Sequence, residues 1–204
     1  MSFSEMLFHQ KLLIQYPTQV LDIYPWPEAF CIYPSKIKAI VLGCDPTNTH
    51  TKSMPFVFGF HSPHKEAPKF FSGIEENLQQ IGLDHTCVYI QNLCRNYFDQ
   101  ESSDNKVWKE VAQLWIPRLK EELHNLPDER PVFLTSELLY KVLLNEGLKP
   151  YSASELYSNL ELTPIPAKDN RLNLPLLPLY RHHEYKLDLE KWEGYRTKLM
   201  NYVI

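Results

Sequence analysis

The chain has 204 residues, 44% hydrophobic and 23% charged, with a net charge of −4. That is enough for one domain, 1–204, with a sizeable core, and no apolar run reaches the roughly 18 residues of a membrane span. An acidic balance without long runs of like charge counts against a purely electrostatic nucleic-acid clamp, though not against an enzyme that touches few phosphates.

Met1-Ser2-Phe3-Ser4-Glu5 lacks the basic start and apolar core of a signal peptide. Cys31, Cys44, Cys87 and Cys94 form no Cys-x-x-Cys pair, which points to a reducing cytoplasm and away from zinc or an iron–sulfur cluster. His61-x-x-His64 has no acid or cysteine nearby to complete a metal set and reads as loop histidines. The expectation is a cytoplasmic protein with no cofactor, no metal and no membrane partner. Nothing marks an oligomeric interface, so a monomer is expected.

Residues 4–15 carry Met6, Leu7, Leu12 and Leu13 at helical spacing, closed by Tyr16-Pro17. Tyr24 to Phe30 is proline-punctuated and aromatic, an irregular lead-in to the first strand. That strand, Lys38 to Leu42, is short, apolar and rich in β-branched residues. It breaks on Gly43 and delivers Cys44, Asp45, Pro46, Thr47, Asn48, Thr49 and His50. Asp45-Pro46 alone is an ordinary turn pair. Phe56 to Phe60 reads as a short strand or extended wall.

Ser72 and Glu75 have the spacing of a capping box, opening a helix that ends near Ile81 and Gly82. Thr86 to Asn92 is a second strand. Val107, Trp108, Val111, Leu114, Trp115, Leu119 and Leu123 share a helical face, a core stripe that Pro117 should kink or divide. Arg130 to Thr135 is a third strand, followed by a short helix through Leu143. Residues 148–173 show no period and read as an ordered loop region. Leu174 to Arg181 is a fourth strand, made short or late by Pro175 and Pro178. Asp188 is placed to cap a last helix bearing Trp192, Tyr195 and Leu199.

Strands alternating with helices predict an α/β fold: a three-layer α/β/α domain around a central four-stranded, mainly parallel sheet. In such a sheet the carboxyl ends of the strands share one rim, where ligands bind. Strand one ends in Asp45, strand two in Asn92, strand four in Arg181-His182-His183. With Phe58 as a flat wall, these residues suit a pocket for a small planar polar ring. Asp45 can orient or deprotonate water, Asn92 can read a donor–acceptor edge, and a histidine can stabilise a developing anion.

Gly43-Cys44-Asp45-Pro46-Thr47-Asn48 resembles the Gly-Gln-Asp-Pro-Tyr-His motif of the uracil-DNA glycosylases. The similarity extends over most of the chain. Tyr24-Pro25 through Tyr33-Pro34 is similar to that family's proline-aromatic lead-in. Phe58 lies thirteen residues after Asp45, the family's spacing to its uracil-stacking phenylalanine. Phe71-Ser72-Gly73-Ile74 resembles its Pro-Ser-Leu helix start. Val88 to Asn92 resembles its Leu-Leu-Asn strand, and Val132-Phe133-Leu134 the strand after its long helix. His183-Glu184-Tyr185-Lys186-Leu187 keeps the His and Leu of its His-Pro-Ser-Pro-Leu motif.

The resemblance implies a uracil-DNA glycosylase-like fold and hydrolysis of the N-glycosidic bond of uracil or a related damaged base in single- or double-stranded DNA, with the base flipped into the pocket. Asp45 would position water, and His183, or His182 by a one-residue shift, would donate to the departing base. Main-chain amides at Cys44 and Asp45 would hold the uracil O2, the oxygen to which that histidine donates. Phe58 would stack the base and Asn92 would pair with it. Leu187 or Tyr185 would be the wedge that fills the emptied stack.

The departures fall on the base-binding motif. Thr47 replaces the tyrosine that blocks a thymine methyl, Cys44 replaces glutamine, Asn48 replaces histidine, and Tyr185 replaces the phosphate-gripping serine. The alternative is a catalytically inactive relative that binds a nucleobase, nucleotide or nucleic acid. A vestigial pocket with a protein-interaction role around Trp26 is a third possibility.

Overall fold

A computed structural model describes residues 3–46, 53–61 and 68–203. Thr47, Asn48 and His64 lie outside the described residues. Four strands form a wholly parallel sheet: β1 (Ala39–Gly43), β2 (Val88–Asn92), β3 (Val132–Leu134) and β4 (Leu176–Pro178), in the order β2-β1-β3-β4. Every residue of β1, β3 and β4 is buried, so both faces of the sheet are covered, as all-parallel sheets require.

The chain enters through α1 (Phe3–Gln15). The crossovers carry α2 (Ser72–Gln80), α3 (Trp108–His124), α4 (Glu137–Leu143) and α5 (Ala153–Ser158), and α6 (Glu193–Val203) closes the chain. This is the expected α/β/α layering. None of the described helices is long and apolar enough to cross a membrane.

Of the expected stripe of α3, Trp108, Val111, Trp115, Leu119 and Leu123 are buried, joined by Ala112 and Ile116, whereas Leu114 and the N-cap residue Val107 are half-buried. Each large apolar side chain there contributes about 1.5–3 kcal/mol. That drive outweighs Pro117, and α3 runs undivided through it. Pro117 itself is on the exposed side, where water can satisfy the carbonyl that proline leaves without a donor. From the far end of α3, Glu122 accepts from the Tyr89 hydroxyl at 2.6 Å and from the Gln91 amide, tying the helix to β2.

Several local expectations fail for identifiable reasons. Phe56 to Phe60 is not a strand but a single 3-10 turn over Val57–Gly59. Ser72 does not form a capping box: Phe71 is the N-cap, and Ser72 Oγ donates backward to Lys69 O. Glu75 instead pairs with His85, Oε1 to Nδ1 at 2.9 Å. The region 148–173 hides α5, opened by a true capping box between Ser152 and Glu155. It is too short for a period to show. β4, by contrast, is short as expected, three residues that include Pro178; as the edge strand it needs no N–H there. Asp188 does not cap α6, which grows out of a 3-10 turn at Glu190–Trp192.

Candidate active site

The carboxyl ends of all four strands open into one cavity of about 790 Å³. Gly43, Cys44 and Asp45 follow from β1, Asn92 closes β2, Thr135 and Ser136 follow β3, and Tyr180 to Tyr185 follow β4. Phe58 enters from its 3-10 turn. Of the residues singled out in the sequence, Cys44, Asp45, Phe58, Asn92, His182, His183 and Tyr185 therefore share one wall-to-wall space.

Gly43 is central to this convergence. It pairs with Asn92 in the β1–β2 ladder. A Cβ on Gly43 would overlap the Asn92 Oδ1 and the rim of the Phe58 ring. Glycine is thus required by the close approach of these two side chains. Phe58 is held with φ 55° and ψ 15°, the left-handed region that costs a non-glycine residue about 1–3 kcal/mol. Phe71, edge-on at 5.4 Å between ring centroids, holds it there. Asn92 is almost wholly buried, and its side-chain amide has no partner among the described residues.

Asp45 is half-buried, and its Oδ2 accepts a 2.7 Å hydrogen bond from the Trp108 indole N–H. Burial raises its pKa to about 7; the Trp108 bond opposes the rise and the negative charge of Glu101 adds to it. A carboxylate that is half ionised near neutrality is matched to proton transfer. Cys44 differs. Burial and the neighbouring Asp45 charge push its thiol to about 12, against hydrogen bonds to Ser136 and Ser102. It stays protonated and is not a nucleophile.

His182 and His183 are exposed at the mouth, with ring centroids 4.2 Å apart. His182 Nδ1 accepts from the Glu184 N–H at 3.3 Å, which places the proton of the neutral ring on Nε2 as a free donor. The turn carrying both histidines is clamped from α2. Buried Asn77 donates to the carbonyls of Tyr180 and Tyr185, each at 3.4 Å, and accepts from the Leu187 N–H at 3.0 Å.

That clamp corrects one expectation. Leu187 is completely buried and cannot act as a wedge in this conformation. Tyr185 lines the cavity but is packed on Trp192 and Tyr157, with centroids 5.7 and 4.6 Å away. It serves as wall.

The mouth also carries Glu101, Glu137, Glu184 and Arg181. The Arg181 guanidinium lies 4.6 Å over the Phe70 ring. Sequence reasoning passed over Trp108, Glu101 and Tyr180. The Trp108 ring is core, as its place in the apolar stripe predicts; the clue to its polar contact is that a buried indole N–H needs an acceptor. Glu101 and Tyr180 had no pattern to reveal them. The Tyr180 hydroxyl is buried without a partner among the described residues. Those residues hold no group of three His, Cys, Asp or Glu side chains able to bind a metal ion. Comparison with models of known protein families and with curated proteins gives no match for this chain.

Proposed function

We propose that this protein is a DNA glycosylase that hydrolyses the N-glycosidic bond of uracil or a related damaged base. The observation that carries the reading is the meeting of Asp45, Asn92, Phe58 and the His182–His183 pair around one cavity. Phe58 offers a ring face for stacking, and Asn92 offers an unpaired amide to a base edge. Asp45 takes a proton from water as the water oxygen bonds to C1′. The C1′–N bond breaks, its electron pair leaves with the base, and His182 Nε2–H stabilises the resulting anion. The ionised carboxylate also faces the positive charge that develops on the sugar.

The second reading, binding of a base or nucleotide without turnover, is favoured by Glu101, Glu137 and Glu184 at the mouth. Carboxylates there oppose a long polyanion. One assay separates the two. The protein is incubated with single- and double-stranded oligonucleotides carrying uracil, a thymine mismatch, hypoxanthine or hydroxymethyluracil, and abasic sites are counted. Cleavage that disappears in Asp45→Asn supports the glycosylase. Calorimetric binding of free uracil or a nucleotide, with no cleavage of any substrate, replaces it with the binder.

A further inference from the structure

The segment from Glu101 to Trp108 approaches Asp45 from the start of α3 and brings two opposing influences to one carboxyl group. The Trp108 ring is buried in the core, and its only polar atom donates to Asp45 Oδ2 at 2.7 Å. Glu101 lines the same cavity as Asp45. Its main chain is fixed, because its carbonyl accepts from the amides of Asp104 and Asn105, both at 3.0 Å. The donor thus opens α3, and Glu101 sits on the turn just before it.

We propose that Trp108 is a positioning residue for Asp45: its indole N–H holds Oδ2 and leaves Oδ1 as the oxygen that meets water. This rests on the glycosylase reading for its role in turnover. Its structural part, the hold on Asp45, stands apart from that reading.

A carboxylate with one oxygen pinned presents the other in a fixed direction, and fixed direction is what general-base catalysis needs. An indole suits this task. It has one donor and no acceptor, it does not titrate, and its ring cannot rotate while packed in the core. The other groups around Asp45 are the Cys44 and Cys94 thiols from the ends of β1 and β2, and Arg181, His182 and His183 from the turn after β4. Both thiols are kept protonated by burial. Glu101, Glu137 and Glu184 are the other carboxyl groups lining the cavity and Arg181 its guanidinium, and Trp108 is the direct donor.

The test follows ionisation of Asp45 directly. Trp108→Phe keeps the apolar packing and removes the N–H; Glu101→Gln removes the like charge at the exposed rim. Carbon-13 NMR of the Asp45 side-chain carboxyl is expected to titrate about one pH unit higher in Trp108→Phe and measurably lower in Glu101→Gln. In turnover, Trp108→Phe should lose about five- to tenfold in kcat/KM at pH 7 as the acid limb moves up. A deficit in kcat with unchanged KM should persist above pH 9, where both enzymes are fully ionised.

Should Trp108→Phe fail to fold, the unmodified protein still answers. The Trp108 indole N–H resonance is expected to shift with a midpoint near pH 7 and to stop titrating in Asp45→Asn. An Asp45 midpoint unchanged in folded Trp108→Phe, or an indole resonance indifferent to pH, overturns the proposal. If the wild-type protein cleaves no base, the glycosylase reading fails, and the same titrations still decide whether Trp108 holds Asp45.

Discussion

Replacing Asp45 by Asn should make the protein more stable, by a margin that opens above about pH 4 and is complete near pH 7. The folded protein holds the Asp45 proton up to about pH 7, against an ordinary value of 3.8. Between those values the folded state binds more protons than the unfolded state, so stability falls as pH rises through that window and levels off above it. A shift of this size corresponds to a penalty of at most about 4 kcal/mol, taking about 1.4 kcal/mol per unit. Asparagine has no charge to desolvate, and its carbonyl oxygen can still accept the Trp108 N–H. At pH 8 the variant should gain roughly 2–4 kcal/mol, or about 5–15 °C in Tm for a chain of this length. At pH 4 the two proteins should melt together. Urea denaturation and calorimetry at pH 4, 6 and 8 read this out. An Asp45→Asn protein that is less stable at pH 8, or that differs from wild type equally at both extremes, refutes the reasoning.

Gly43→Ala should abolish turnover and destabilise the fold by about 2 kcal/mol or more, because the added methyl meets Asn92 and Phe58 where the core is already filled; chemical denaturation and the cleavage assay check both effects. Asn77→Ala should cost about 2–3 kcal/mol by stranding the Leu187 N–H and two carbonyls, with faster amide exchange at Leu187 than elsewhere in the core. Tyr180→Phe removes a buried hydroxyl that has no partner among the described residues and should be neutral or stabilising by about 1 kcal/mol in thermal melts; a clear loss of stability would point to an unrecognised partner for that oxygen.

The strands were legible because buried parallel strands write themselves as short apolar runs, and Lys38 to Leu42 and Thr86 to Asn92 are such runs. The polar residues at or just past their ends, Asn92 and Asp45, marked the site because topology, not sequence distance, brings strand ends together. What the sequence hid was set by tertiary contact. Glu75 is drawn to His85 rather than to a helix cap, and Trp108 is core in its ring while its N–H donates to Asp45. Leu187 resembled a wedge in the motif, yet Asn77, more than a hundred residues away, fixes its N–H and the core covers its side chain. Phe56 to Phe60 has the composition of a strand, but Phe58 takes a backbone conformation that no composition rule assigns to phenylalanine.

The pairing of Gly43 with Asn92 ties chemistry to assembly. Sliding β2 by one position would turn the Asn92 amide to the opposite face of the sheet and bring a different residue over the glycine. A chain that mispairs these strands loses its reading group in the same event that loses its packing. On the proposed glycosylase reading, misassembled molecules lack the Asn92 contact and are silent rather than promiscuous, and turnover reports correct folding.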